Sequence, residues 1–304
     1  DAVEPPTLMA PLDWHRAIKT PYEAGCVRAS ARAAALGHRA VREGAFLGWS
    51  ERRLHAAWLE ASGQLDADQP YPSIIGWDDR SAVLHYQAKR ASAPTPGHVM
   101  LIDAGAAHLG YASDVTRTYA RPGAHPAFVA LLDAMDALQR DLVAGCLAGT
   151  AYGDLHVRAA RAIGQALRSV GVLRGDVDDA IAQGWLYPFF PHGLGHHLGV
   201  QVHDVGGHQA GPDGGRVPPP AAFPNLRTTR PLENGHLVTI EPGVYFIPLL
   251  LDGLRSGAGA AAFDWALIDA LIPCGGIRIE DDIWLTPAGP MDLTRDLIPG
   301  HGAP

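Results

Sequence analysis

Two acids, Asp103 and Asp114, stand eleven residues apart in the strand-like runs Val99-Met100-Leu101-Ile102-Asp103 and Asp114-Val115-Thr116-Arg117. An unpaired carboxylate at the end of a buried strand is costly. A hairpin symmetric about His108 and Leu109 sets the two acids opposite one another. Their Cβ atoms then lie about 4.5–5.5 Å apart, where like charges destabilise unless a cation sits between them. Either acid alone reads as a turn residue; the pair asks for a metal. A second cluster, His192, His196, His197, His203 and His208, holds five of the fifteen histidines within seventeen residues. The glycines around it suit tight backbone at a metal or acid-base site better than a packed helix. His197 and His208 are expected to support the others or to face solvent. There is no HExxH helix, which disfavours a zincin. Glu241, in Thr239-Ile240-Glu241-Pro242-Gly243, and Glu280, in Ile277-Arg278-Ile279-Glu280-Asp281, add two acids inside apolar runs. Alternation around Glu280 reads as imperfect, so a sheet-edge charge is the competing reading there. Four carboxylates with one imidazole form an oxygen-dominated donor set suited to Mn²⁺ and usable by Co²⁺ or Zn²⁺. Four negative charges match two divalent ions.

The elements that position these groups follow from local signals. Thr20-Pro21-Tyr22-Glu23 carries a capping hydroxyl, a proline at the first helical position and a glutamate three residues past the cap, which predicts a helix running to about Gly44. A second helix is predicted from the Ser50 cap to Gly63, and two more over Pro126 to Leu147 and Gly153 to Val170. Strands are predicted over Ser73–Ile75, Ala82–Tyr86, Val99–Asp103, Asp114–Tyr119, Leu237–Phe246 and Ile277–Leu285. Helix pair, strands, helix pair, strands is the order of a duplicated α+β unit. The region from Pro188 is expected to be loop-rich, and the run Val217–Pro224 to form a stiff rim.

Composition narrows the class. The 304 residues are 47% hydrophobic and 18% charged, the balance of a folded chain with a large core. A formal net charge of -8 gives no attraction to nucleic acid or anionic lipid. Three scattered cysteines, Cys26, Cys146 and Cys274, read as reduced core residues, so the cytoplasm is the expected compartment. No uncharged apolar run approaches the length of a membrane span, so no membrane partner is expected.

In order and type, five blocks resemble the metal-site motifs of the pita-bread metallopeptidases. They are Ile102-Asp103-Ala104-Gly105, Ser113-Asp114-Val115-Thr116-Arg117, His192-Gly193-Leu194-Gly195-His196, Thr239-Ile240-Glu241-Pro242-Gly243 and Gly276-Ile277-Arg278-Ile279-Glu280-Asp281. The resemblance spans roughly Asp13 to Thr286 and is strongest to the bacterial prolidase branch and the related organophosphorus acid anhydrolases. The stretches Gln201–Gly207 and Asn225–Arg230, with the long interval from Glu241 to Glu280, favour that branch over aminopeptidase P. The resemblance implies a pita-bread fold: a duplicated α+β unit whose curved, mostly antiparallel sheet is covered by helices. Residues 13–304 would form the catalytic domain, and residues 1–12 a linker or the tail of a preceding N-terminal domain. In the family that domain helps build a homodimer, one assembly the resemblance allows.

By motif, the resemblance further implies that Asp103 binds one metal, His196 and Glu241 the other, and Asp114 and Glu280 both. A hydroxide held between the ions would be the nucleophile, and Glu241 would pass its proton to the departing proline nitrogen. His203 is the implied oxyanion donor, with His85 and His192 contacting substrate from opposite sides; a structural histidine is the other reading of His85. Arg227 is a candidate clamp for the substrate carboxylate, with a surface arginine as its alternative. Arg278 lies two residues before Glu280 on the same strand face and is expected to orient a ligand. Tyr71 and Tyr152 are candidate pocket walls. The implied activity is hydrolysis of Xaa-Pro dipeptides, with phosphotriester hydrolysis and aminopeptidase P as alternatives. A non-enzymatic binding module is disfavoured because all five ligand types are present.

Overall fold

Prolines open most of the longer helices. In the computed structural model, which describes residues 3–300, helix α1 (Pro6–Arg16) begins on one. This helix lies across the stretch expected to be a linker, and the expected boundary after residue 12 falls inside it. Pro6 takes the first helical position, which suits proline, Pro11 lies inside the helix, and the Trp14 ring packs 3.2 Å from the Arg230 guanidinium. Helix α2 (Pro21–Phe46) carries the predicted capping box, with Thr20 and Glu23 exchanging hydrogen bonds. Helix α3 (Glu51–Ser62) starts at the Ser50 cap and stops at Gly63, whose φ of 67° is the left-handed conformation glycine favours. Gly37 lets the two helices close: a Cβ there would meet the Trp58 ring at 2.2 Å.

The first sheet, in the order β1-β2-β5, is antiparallel and comprises β1 (Ile74–Trp77), β2 (Val99–Asp103) and β5 (Thr116–Ala120). Between β2 and β5 stands the small hairpin of β3 (Ala107–His108) and β4 (Tyr111–Ala112). Helices α4 (Pro126–Ala144), α5 (Tyr152–Ser169) and α6 (Val177–Ala182) follow, and then a long segment holding only the short hairpin β6 (Gln209–Gly211) and β7 (Gly214–Arg216). The second half is completed by β8 (Leu237–Ile240), β9 (Gly243–Tyr245), α7 (Pro248–Arg255), α8 (Trp265–Leu271), β10 (Gly276–Arg278), β11 (Asp281–Thr286) and β12 (Gly289–Asp292). No described helix is long and apolar enough to cross a membrane.

Each half has its own core. Met100 and Ile102 of β2 pack with Trp58 of α3 and Tyr119 of β5, while Val238, Ile240, Ile277 and Ile283 pack with α4 and α5. Because alternate residues of a strand face opposite ways, Asp103 leaves the first core, and Thr239, Arg278 and Glu280 leave the second. The halves meet there. Thr116 O accepts the Glu280 N–H at 3.1 Å, and the Thr118 hydroxyl donates to Arg278 O at 3.1 Å.

Several expectations change. The 82–86 strand is absent: residues 78–82 form a 3₁₀ turn and 83–86 are irregular. Here carboxylates replace a partner strand. Glu51 accepts from Trp77 N and Arg90 N, and Asp78 from the N–H groups of Gly97, His98 and Val99. The hairpin turns at Leu109 and Gly110, both with positive φ, one residue later than expected. Asp103 therefore faces Thr116, and Asp114 is its diagonal neighbour. The strands expected over 237–246 and 277–285 are each interrupted, at Glu241-Pro242 and at Ile279-Glu280. The pairs Arg278–Gly243 and Asp281–Ile240 share one register, which carried through the break sets Glu280 opposite Glu241. Alternation around Glu280 is regular after all, with Ile277 and Ile279 in the core.

Candidate active site

The two interrupted strands, the end of β2 and the residues preceding β5 converge on one cavity of about 730 Å³, lined by Asp103, Asp114, His196, Glu241 and Glu280 among others. Asp114, His196 and Glu280 are buried and present donor atoms that all lie within 4.8 Å of one another. His196 Nε2 lies 3.4 Å from Asp114 Oδ2 and 3.6 Å from Glu241 Oε1. Its Nδ1–H donates to His197 O at 2.9 Å, which leaves the Nε2 lone pair aimed at the carboxylates, the orientation a metal-binding imidazole takes. The segment carrying His196 lies along β8. Thr239 N–H donates to His196 O, Glu241 N–H donates to Leu194 O, and the Thr239 hydroxyl accepts the His196 N–H. Gly195 permits this approach, since a Cβ there would lie 2.1 Å from Thr239 O.

Arg278 is the hub behind the acids. Its Nη2 donates to Asp103 Oδ2 at 2.6 Å, its Nη1 to the Tyr245 hydroxyl at 2.7 Å and its Nε to Thr116 Oγ1 at 3.1 Å. Thr116 in turn donates to Glu280 Oε2 at 2.6 Å, so one guanidinium fixes two acids. Asp282 accepts the Asp114 N–H at 3.2–3.3 Å and thereby fixes a third.

Crowding shows in the protonation of the group. Burial, with Asp114 nearby, raises the Asp103 carboxyl despite Arg278. Burial pushes Glu241 up to about 7, against the pull of His196 and Arg278. Glu280 rises well above the carboxylate range through burial and the charges of Asp114, Glu241 and Asp103. Burial opposes the charge on His196, but Asp114 and Glu241 outweigh it and raise the imidazole. The donor set fits divalent metal ions on two further observations. Asp103 Oδ1 is buried without a close hydrogen-bond partner, and the buried Tyr71 hydroxyl stands beside Asp103 and Asp114 with no close partner of its own. Hard oxygen donors with one imidazole also suit Mn²⁺, Co²⁺ or Zn²⁺.

Around this group, His85, His192, His203, Arg227 and Tyr71 line the cavity. His85, His203 and Arg227 are exposed, and His85 sits in the irregular segment after the 3₁₀ turn rather than at a strand end. The His203 ring meets His196 edge-on at 4.4 Å; burial, then His196 and Arg227, hold it down to about 4. His192 is neutral, pushed to about 3 by burial and Arg278. Its Nδ1–H donates to Gly193 O, and its Nε2 accepts from the Tyr245 hydroxyl. Both nitrogens are thus engaged, and the ring forms a wall. Tyr152 lies outside the cavity lining; it is fully buried and its hydroxyl donates to Thr239 O at 2.8 Å, bracing β8 from behind. His197 is buried against His236, while His208 reaches the cavity and bonds Leu226 O. Thr116, Thr239, Tyr245 and Asp282 were not singled out from sequence. Thr116, Thr239 and Asp282 each stand two residues from a proposed ligand, so strand alternation was the signal that pointed to them.

Residues 25–287 match the model of metallopeptidase family M24. The chain is 46% identical over 288 residues to an Xaa-Pro dipeptidase of Xanthomonas euvesicatoria pv. vesicatoria, covering 94% of this chain and 65% of that protein. It is 43% identical to an Xaa-Pro dipeptidase of Shewanella amazonensis, covering 96% and 66%. The chain therefore spans about 65% of the length of these relatives. Its fold is similar to that of Zn-substituted Escherichia coli aminopeptidase P in complex with product, with a TM-score of 0.75, 29% identity and coverage of 94% of this chain and 58% of that one. It is likewise similar to proline aminopeptidase P II from Yersinia pestis, with a TM-score of 0.74, 29% identity and coverage of 95% and 60%. The α+β architecture of helix-covered antiparallel sheets is the pita-bread fold, and the chain belongs to metallopeptidase family M24.

Proposed function

We propose that the chain hydrolyses the Xaa-Pro bond of dipeptides, and that Asp103, Asp114, His196, Glu241 and Glu280 hold two divalent metal ions for the purpose. The observation that carries this reading is the convergence of four acids and the His196 Nε2 lone pair on one cavity. Mn²⁺ is the metal we favour, with Co²⁺ or Zn²⁺ able to use the same donors. Such ions supply Lewis acidity and lower the pKa of water.

The remaining chemistry belongs to side chains. Glu241, a carboxylate lining the cavity, takes up a proton and delivers it to the departing proline nitrogen. His203, neutral at pH 7, keeps one ring N–H to donate to the developing oxyanion. His85 faces the same cavity as a substrate contact, and Arg227 offers a two-pronged grip on a dipeptide's terminal carboxylate. His192 and Tyr71 shape the walls, while Arg278 orients Asp103 and, through Thr116, Glu280. Three free, buried cysteines fit a reducing compartment, the cytoplasm.

A second reading, aminopeptidase P, is favoured by the solved structures of similar fold, although the relatives with higher identity are Xaa-Pro dipeptidases. The test is turnover of Gly-Pro and Leu-Pro, a Pro-containing tripeptide and an organophosphate, each with added Mn²⁺, together with elemental analysis. Dipeptide cleavage is expected to dominate. A faster tripeptide would point to aminopeptidase P, a faster phosphotriester to an anhydrolase, and no turnover at all would overturn the hydrolase reading.

A further inference from the structure

Asp204 follows His203 in the chain, and its side chain is only 1% exposed. Two cations reach it from the α1–α2 junction: Lys19 Nζ lies 2.8 Å from Oδ2, and Arg16 Nη2 lies 2.5 Å from Oδ1. The Lys19 side chain is also 1% exposed. A buried ammonium is retained only where a well-placed partner compensates it. The packing is close, since a Cβ on Gly199 would lie 2.4 Å from Asp204 Oδ2 and 2.8 Å from Lys19 Cε. Main-chain bonds extend the clamp in both directions. Lys19 N–H donates to Gly235 O at 2.7 Å, just before β8. Asp204 N–H donates to His197 O at 2.8 Å, the same carbonyl that takes the His196 Nδ1–H. Among the described residues His203 makes no ring hydrogen bond of its own; its recorded ring contact is with His196.

We propose that Lys19 and Asp204, assisted by Arg16, form a positioning pair that sets the backbone carrying His203 over the cavity. The inference rests on the reading above that His203 serves the reaction. Lys19 and Asp204 touch neither substrate nor the acids; they act through His203.

The test is a cycle of Asp204→Asn, Lys19→Met and His203→Ala in the full chain. It is read by kcat and KM on Gly-Pro with Mn²⁺ and by the histidine-ring NMR spectrum of the metal-free protein, with the His203 signal assigned by its loss in His203→Ala. Asp204→Asn is expected to lower kcat about 10- to 100-fold, to leave KM nearly unchanged and to shift the His203 signal. In a His203→Ala background it should cost nothing further. Unchanged kcat, an unmoved His203 signal or an equal loss without His203 would each overturn the clamp. An inactive wild type would instead overturn the proposed function, with the NMR arm still deciding the clamp. Should neither variant fold, Arg16→Ala trims a partner whose side chain is 38% exposed and is read in the same cycle. A fall in kcat that disappears without His203 supports the clamp, and an unchanged kcat overturns it.

Discussion

Removing metal exposes the cost of crowding acids in a buried cavity, and that cost has a predictable pH dependence. Glu241 is held up to about 7 from an ordinary 4.5, chiefly by burial. A carboxyl whose pKa is raised on folding contributes stability that is fully present below pH 4.5 and is lost as pH rises through 7. At about 1.4 kcal/mol per unit the whole effect is roughly 3 kcal/mol, of which about 2 falls between pH 5.5 and 7.5. With about 2.1 cal/mol/K of unfolding entropy per residue, that is a shift of roughly 3 °C in melting temperature for a chain of this size. Buried neutral histidines run the other way. His38, His192 and His236 are held down to about 3, and His156 to about 4, so they lose stability as pH falls below 6.5. A comparison of two metal-free proteins, wild type and Glu241→Gln, cancels that common background. We expect wild type to lose about 3 °C relative to the glutamine variant between pH 5.5 and 7.5, measured by calorimetry in chelator at constant ionic strength. Adding Mn²⁺ should restore the wild type at pH 7.5. Parallel melting curves for the two metal-free proteins would refute the claim that Glu241 is strained by its surroundings.

Three further outcomes follow from the geometry. Asp114→Ala is expected to abolish dipeptide turnover and reduce bound metal in elemental analysis; full activity with a normal metal content would exclude Asp114 from the site. Arg278→Lys replaces a fork that reaches Asp103, Tyr245 and Thr116 together with a single ammonium, so kcat should fall about 10- to 100-fold, and a loss under threefold would contradict its role. Gly105→Ala would place a Cβ 1.8 Å from the main-chain oxygen of Ser113, so urea unfolding should show a loss of at least about 1–3 kcal/mol, whereas unaltered stability would show that this close approach is relaxed in solution.

The long elements were legible because their signals are local. The Thr20 capping box and the Gly63 stop appear as read from the chain. Helices α6, α7 and α8 escaped notice because six to eight residues give too few turns for a helical period to stand out. Residues 82–86 misled because their apolar texture suits a strand, while the groups that satisfy this region, Glu51 and Asp78, are single carboxylates distant in sequence or hidden in a turn.

At the site the error and the success have one source. The rule that opposed carboxylates require a cation reaches Asp103 and Asp114 only obliquely, because a one-residue slip of the hairpin makes them diagonal neighbours. It applies directly to Glu241 and Glu280, whose register sets them face to face across two strands that are both interrupted at those positions. Local sequence cannot show that pairing, because 38 residues carrying α7 and α8 intervene. Once the pairing is known, alternation supplies the rest. Thr116, Thr239, Arg278 and Asp282 each stand two residues from a proposed ligand and share its face, and every one of them bonds to a neighbouring group of the site. A strand that carries one buried acid must therefore be read as a row, because the residues at its even spacings hold that acid in place.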